Sequence, residues 1–303
     1  MVAPSRRVLV TGARGFTGAH LRRELEAHGY IVVGLVHESA AGPDECFADL
    51  TDARAVREAV YETVPDFVIH LAAISFVGHD ELDELYTTNV LGTVNLLEAL
   101  RTAPIQPRRV IVASSANIYG EVRVDMVDET HPPRPANHYA ASKVASEAAA
   151  HVYRDDLSIT ITRPFNYTGP GQSPRFLVPK LVDHFARRAP RIELGNLDVE
   201  RDFLDVRTIV EVYRALLDCD AARSQVVNLC SGRGVSLGDM ITKLQQLTGH
   251  TIAVDVNPAF VRANEIKRLV GSSERLTSLI GPLAERSFDQ TLRDMLAAAG
   301  TIT

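Results

Sequence analysis

Tyr139 and Lys143 stand four residues apart in Tyr139-Ala140-Ala141-Ser142-Lys143, a spacing that puts a phenol and an ammonium on one face of a helix. A free tyrosine ionises at about pH 10, too high to exchange a proton at neutrality, and a nearby cation lowers that value. The pair therefore suits general acid–base work on an alcohol or a ketone. A third group fits the same chemistry. Ser114-Ser115-Ala116-Asn117-Ile118-Tyr119-Gly120 follows a β-branched run, and Ser115 can donate a hydrogen bond to a carbonyl oxygen as negative charge develops on it. Only four of the 32 basic residues are lysines, Lys143, Lys180, Lys243 and Lys267, so the placement of Lys143 carries more information than usual.

A second chemical feature lies near the N-terminus. Thr11-Gly12-Ala13-Arg14-Gly15-Phe16-Thr17-Gly18 follows a short apolar run and leads into a helical pattern. Glycines in this arrangement allow a tight turn, let backbone N–H groups approach a pyrophosphate, and let a helix pack closely on a strand. With a strand before and a helix after, the motif predicts a dinucleotide site. Further along, His70-Leu71-Ala72-Ala73 ends another apolar run with small residues suited to lie under the cofactor, while the lone His70 reads as structural.

The elements that must position these groups alternate. Strands are predicted at Arg7 to Val10, Ile31 to Val36, Phe67 to His70, Val110 to Ser114 and Ser158 to Thr162. Helices are predicted at Phe16 to His28, Ala53 to Glu62, Glu81 to Arg101 and Tyr139 to Tyr153. This alternation predicts an α/β fold, a Rossmann-type doubly wound parallel sheet that binds ligands at the carboxyl ends of its strands. After Arg163 the chain becomes rich in proline and glycine before a helix at about Val178 to Arg188. Residues 1–165 are read as the dinucleotide-binding domain, with about 205–235, including the strand Val226 to Leu229, returning to it. Residues 166–303 are read as a smaller C-terminal substrate-binding α/β subdomain, where Leu237, Met240, Ile241, Leu244 and Leu247 follow helical spacing.

Composition excludes several classes. A net charge of −6 gives no basic stripe for a nucleic-acid backbone. No apolar run approaches the roughly 20 residues of a membrane helix, and no secretory signal is visible, so a cytoplasmic protein is expected. Cys46, Cys219 and Cys230 have no metal-ligand or disulfide spacing. They are read as buried, reduced thiols, and no metal is expected.

Taken together, the glycine motif, Leu71-Ala72-Ala73, Ser115, the Tyr139/Lys143 pair and Arg201-Asp202-Phe203 resemble the extended short-chain dehydrogenase/reductase superfamily in order and spacing, over nearly the whole chain. The resemblance implies that Tyr139 is the general acid/base, that Lys143 modulates its pKa and holds the nicotinamide ribose, and that Ser115 orients the carbonyl. Gly12, Arg14, Gly15, Phe16, Thr17, Gly18, His37, Asp49, Leu50, Leu71, Ala72, Ala73 and Asn89 are then expected at the cofactor, with Tyr139 and Lys143. A homodimer is also implied, built from the helices around Glu81 to Arg101 and Tyr139 to Tyr153.

Gly195-Asn196-Leu197-Asp198-Val199-Glu200-Arg201-Asp202, Phe165 to Ser173, Asn228 to Gly232 and Asn257 to Gly271 are similar to the branch that reduces GDP-4-keto-6-deoxy-D-mannose. That likeness makes Ser114, Asn117, Asn166, Asn196, Arg201, Arg262 and Glu265 candidate substrate contacts; two arginines suit a diphosphate, which prefers forked cationic donors. The implied reaction reduces the C4 ketone to GDP-D-rhamnose or its epimer GDP-6-deoxy-D-talose. Ala116 and Asn117 stand where related 4,6-dehydratases carry acidic residues, which argues against dehydration. A nucleotide-sugar C4 epimerase and a non-catalytic dinucleotide-binding regulator are the alternatives. Val36 occupies the end of the second strand, where an acidic residue would bind the ribose of NAD. With His37 next and Arg14 in the loop, NADP(H) is favoured and NAD(H) is open; Glu38 argues the other way.

Overall fold

A computed structural model describes residues 6–39, 42–75, 81–260, 266–284 and 286–301. Its first strand, β1 (Arg7–Thr11), is apolar on both sides: Val8, Leu9 and Val10 are all fully buried. Val8 and Val10 join one apolar cluster with Leu21 and Leu25, while Leu9 joins another with Leu35 and Val56. Burial on both faces is the mark of an interior parallel strand, and each such side chain contributes about 1.5–3 kcal/mol.

The alternation then runs α1 (Phe16–Ala27), β2 (Ile31–Val36), β3 (Glu45–Phe47), α2 (Ala53–Thr63), β4 (Phe67–His70), α3 (Leu82–Tyr86), α4 (Gly92–Thr102), β5 (Arg109–Ala113), α5 (His138–Val152) and β6 (Ile159–Pro164). After these come β7 (Asn166–Thr168), α6 (Leu177–Ala186), β8 (Arg191–Leu194), β9 (Glu200–Asp205), α7 (Val206–Asp218), β10 (Val226–Leu229), β11 (Gly234–Ser236), α8 (Leu237–Thr248), β12 (Ala253–Val256), β13 (Arg268–Leu269), α9 (Glu274–Ile280) and α10 (Phe288–Ala298). Seven parallel strands form the main sheet in the order β10-β6-β5-β4-β1-β2-β3. Helices α1 and α7 bury their apolar residues on one face, and α2, α4 and α5 on the other. Strand order reverses between β1 and β4, so the ligand crevice of a doubly wound sheet falls at their carboxyl ends.

Phe165 alone separates β6 from β7, so the second sheet starts at that same carboxyl edge. It consists of β11, β9 and β13, with β7 also paired to β9; β8 and β12 pair separately. Helices α6, α8 and α10 pack over it around Phe185, Leu244 and Leu292.

Three expectations are corrected. The single helix expected over Glu81 to Arg101 is divided: a π-helical turn, Thr87–Leu91, separates α3 from α4 and turns Asn89 inward. The strand expected at Val110 to Ser114 ends at Ala113, leaving Ser114 just beyond the ladder. Of the three cysteines, all free, only Cys230 is buried; Cys46 and Cys219 lie nearer the surface. Among the described residues no helix is long and apolar enough to cross a membrane, and no group of three or more histidine, cysteine or acidic side chains could hold a metal.

Candidate active site

Three predicted catalytic side chains converge at the carboxyl end of β5. Ser115 caps the 3₁₀ turn Ala116–Tyr119, its Oγ accepting the Asn117 N–H at 3.2 Å. Tyr139 enters from the first turn of α5, which Asn137 caps by accepting the Ala140 N–H at 2.8 Å. The phenol of Tyr139 is hydrogen-bonded to Ser115. Lys143, one turn on, donates from Nζ to the Ala113 carbonyl at 2.7 Å. Ser115, Tyr139 and Lys143 are 7%, 9% and 5% exposed.

Burial sets the electrostatics here. It pushes the Tyr139 phenol up to about 12, against the hydrogen bond from Ser115, and pushes the Lys143 ammonium down to about 8, against the pull of Glu147. The expected lowering of the phenol by Lys143 is thus corrected. Desolvation outweighs any nearby charge, and the ammonium is engaged with a backbone carbonyl. At neutral pH the phenol carries its proton and the lysine its charge, the state needed to give a proton to a nascent alkoxide.

The glycine loop suits a dinucleotide. Gly12 has φ +69, and a Cβ there would come within 2.9 Å of the Ala72 backbone nitrogen; only glycine lets the β1 and β4 turns approach so closely. Gly15 caps α1 without any side-chain hydrogen bond, leaving the first amides of that helix to face a phosphate. Phe16, Thr17 and Gly18 follow in the first turn of α1. Ser114, 4% exposed, has an Oγ with no hydrogen-bond partner among the described residues, the kind of orphaned polar atom that a ligand satisfies.

Behind the crevice lies a chain of hydrogen bonds. The Ala72 N–H donates to Thr11 Oγ1 at 3.0 Å; Thr11 meets His70 Nδ1 at 2.7 Å, and His70 Nε2 meets Thr93 Oγ1 at 3.0 Å. Thr93 donates to the Asn89 carbonyl at 2.6 Å. This order makes Nε2 the protonated nitrogen of a neutral ring, and burial pushes the His70 pKa down to about 3. His70 is therefore structural, holding Ala72 against Gly12. Asn89 is 1% exposed; its amide accepts the Ile74 N–H at 2.8 Å and donates to Ser142 Oγ at 3.0 Å. It ties the turn after β4 to α5 from behind the cofactor face. Leu71, Ala72 and Ala73 line the turn half-buried, and His37 is exposed just past β2. Asp49 Oδ1 accepts the N–H and hydroxyl of Thr51, both at 2.8 Å, beside buried Leu50.

Arg14 is more fully engaged than the sequence suggested. Its Nε and Nη2 grip Glu45 at 3.0 and 2.7 Å, Nη2 also reaches the Ser39 carbonyl at 3.0 Å, and Nη1 lies 3.4 Å from Glu38.

On the substrate side, Asn117 is half-buried in the turn after Ser115, and exposed Asn166 opens β7. Asn196 accepts the Asp198 N–H at 3.0 Å within the turn before β9. Arg201 donates to the carbonyls of Glu200 at 2.9 Å, Lys267 at 3.2 Å and Ile266, fastening the segment that leads into β13. Arg262 and Glu265 lie outside the described residues.

Several supporting residues were missed in the sequence. Glu147, one turn beyond Lys143, makes a buried bidentate pair with Arg163 at 3.0 and 2.8 Å. Arg163 also donates to Tyr119 Oη at 2.9 Å, which in turn donates to Asn228 at 2.7 Å. Asp202, fully buried, accepts the N–H groups of Ser231 and Gly232 at 2.8 and 2.9 Å. Tyr167 shares a 2.8 Å hydrogen bond with Thr17 and stacks on Phe16 at 6.3 Å, joining β7 to the cofactor loop. The available signals were an arginine closing the β-branched Ile-Thr-Ile-Thr run and a glutamate at the same four-residue interval that separates Tyr139 from Lys143.

Comparisons with known proteins agree with this arrangement. The profile of the NAD dependent epimerase/dehydratase family matches residues 8–230. The chain is 34% identical over 281 residues to a GDP-6-deoxy-D-talose 4-dehydrogenase of Aggregatibacter actinomycetemcomitans, covering 91% of each chain. It is 32% identical over 306 residues to a GDP-6-deoxy-D-mannose reductase of Pseudomonas aeruginosa, covering 97% of each. A crystal structure from Burkholderia cenocepacia J2315, provisionally described as an epimerase, superposes with a TM-score of 0.90 at 46% identity over 98% of both chains. The chain belongs to the NAD dependent epimerase/dehydratase family, the extended short-chain dehydrogenases/reductases, and is an oxidoreductase.

Proposed function

We propose that this oxidoreductase reduces the C4 ketone of GDP-4-keto-6-deoxy-D-mannose, giving GDP-D-rhamnose or GDP-6-deoxy-D-talose. The observation that carries the reading is the buried Ser115–Tyr139–Lys143 group at the carboxyl edge of β5. A bound nicotinamide dinucleotide would supply the hydride. Ser115 holds the ketone oxygen, and the protonated Tyr139 Oη gives it a proton as the alkoxide forms. Lys143 keeps a positive charge beside that step. The two GDP-sugar relatives support the nucleotide, and the talose 4-dehydrogenase supports the C4 position. Residues 1–165, with about 205–235, would hold the cofactor, and 166–303 the sugar nucleotide. Leu91 and Val152, 54% and 76% exposed on the π-helical turn and at the end of α5, support a homodimer through these helices, which sedimentation would reveal as twice the chain mass.

The test is cofactor oxidation by purified protein given freshly made GDP-4-keto-6-deoxymannose, with the dTDP-linked keto sugar as control. Oxidation with the GDP sugar alone is expected, and NMR of the product assigns C4. No oxidation with that sugar would reject the proposal. The Burkholderia structure, described as an epimerase, and a UDP-glucose 4-epimerase relative at 27% identity favour a second reading, C4 epimerisation on a retained cofactor. In that case sugars would interconvert without net cofactor consumption.

A further inference from the structure

The end of β2 and the glycine loop meet around one arginine, and that arginine is held by carboxylates. Arg14 is gripped at two points by Glu45, whose side chain is only 11% exposed, and it also lies against Glu38 and the Ser39 carbonyl. Glu45 is paired with Gly34 across β2 and β3, where a Cβ would lie 2.8 Å from both Ala13 Cβ and Arg22 Nη2, so glycine there leaves room for Ala13 of the loop and for Arg22 beside the cluster. Next to it, Arg22 is taken up by Asp44, with Glu26 at 3.6 Å. Two arginines therefore face four carboxylates. From His37 to Glu45 the sequence contains no lysine or arginine that could redress the balance.

A 2'-phosphate carries nearly two negative charges and calls for a forked cationic donor. Arg14 is a fork already occupied by a carboxylate, in a cluster that is net negative. A ribose 2'-hydroxyl needs the opposite, an acceptor about 20 residues beyond the glycine motif. Glu38 stands 20 residues after Gly18, and its side chain is 71% exposed.

Accepting the dinucleotide reading above, we propose that Glu45 sets the cofactor choice by neutralising Arg14, that Glu38 receives the ribose 2'-hydroxyl, and that the chain therefore uses NAD(H) in preference to NADP(H). This reverses the preference read from the sequence. Arg14 was counted there in favour of NADP(H), and the three-residue strand carrying Glu45 was not visible.

The experiment is direct titration of the purified full-length protein with NADH and NADPH, followed by nucleotide fluorescence without any sugar. NADH should bind at least about tenfold more tightly. Glu45→Gln frees Arg14 and should tighten NADPH by about tenfold while moving NADH by less than about threefold. Glu38→Gln should weaken NADH and leave NADPH no weaker. Arg14→Met should abolish the gain made by Glu45→Gln. Tighter wild-type binding of NADPH, or an unchanged ratio in Glu45→Gln, would overturn the inference while leaving the dinucleotide site intact. Binding of neither nucleotide would refute the dinucleotide reading itself, and the inference with it.

Discussion

Replacing Glu147 by glutamine should damage the site in two separable ways. Glu147 and Arg163 are 5% and 6% exposed, and their two hydrogen bonds of 3.0 and 2.8 Å form a closed fork inside the sheet–helix interface. Removing one charge of such a pair leaves the other buried without compensation, a loss of about 3–5 kcal/mol. Glutamine still accepts one hydrogen bond, and Arg163 keeps Tyr119 Oη at 2.9 Å and the Glu129 carbonyl at 3.3 Å, so the lower end, about 3 kcal/mol, is expected. The loss reads as a lower urea midpoint at unchanged slope. The second effect is electrostatic. Glu147 is the charge that opposes the burial-driven fall of Lys143 to about 8, so without it Lys143 should lose its proton at a lower pH. The alkaline limb of kcat/KM, which reports groups of the free enzyme, should move to lower pH with it. Glu147→Leu combined with Arg163→Met removes both charges and should recover most of the lost stability. A single variant within about 1 kcal/mol of wild type, or an unmoved alkaline limb, would refute the corresponding half of the reasoning.

Tyr139→Phe should lose about 10²- to 10⁴-fold in kcat while cofactor affinity, measured by titration, stays unchanged; undiminished turnover would remove Tyr139 as the acid. Gly12→Ala places a methyl 2.9 Å from the Ala72 nitrogen at φ +69. It should cost about 1–3 kcal/mol of stability, and cofactor affinity should fall with it. Folded Lys143 titrates at about 8 instead of 10.5, so the unfolded chain binds more protons in between. Wild type should therefore gain roughly 3 kcal/mol relative to Lys143→Met as pH rises from about 8 to 10.5. Tyr139, raised from 10.0 to about 12, acts in the opposite sense, and that contribution is lost as pH climbs between those values. A stability difference between wild type and Lys143→Met that stays flat from pH 8 to 10.5 would show that the lysine is not buried as described.

The main sheet was legible because parallel interior strands write themselves as short β-branched runs; β2 and β4 occupy the predicted residues, Ile31–Val36 and Phe67–His70. The site groups at strand ends were legible for the same reason, since a strand boundary fixes the carboxyl edge on which Ser115 and the glycine loop must lie. What escaped was structure without periodicity. Strand β3 is three residues long and begins with Glu45, while β7, Asn166–Thr168, is polar and equally short. Pairings between distant residues, Glu147 with Arg163 or Thr17 with Tyr167, leave no local mark at all. The protonation of the site was misjudged on the same account: a four-residue spacing reveals that two groups are neighbours, but the pKa of each follows from how much water its surroundings exclude.

Those long-range pairings explain why the catalytic edge does not depend on its loops alone. Tyr167, three residues past β6, is tied to Thr17 in the first turn of α1 and stacked on Phe16, and the Pro170 carbonyl meets His20 at 3.0 Å. The segment that opens the second sheet is thereby fixed to the helix that follows the glycine loop. On the other side of Tyr139, Glu147, Arg163, Tyr119 and Asn228 link α5 to β6 and β10. Tyr139 thus lies between two braces that meet on β6 and the few residues after it, so a change in either should reach the chemistry through position. Tyr167→Phe separates these contributions. It keeps the ring that stacks on Phe16 and deletes only the hydrogen bond to Thr17, a loss of about 1 kcal/mol. If the brace positions the cofactor loop, dinucleotide affinity should weaken several-fold while kcat at saturation is preserved. A fall in kcat at full saturation, with affinity intact, would show instead that Tyr167 acts on the reacting groups themselves.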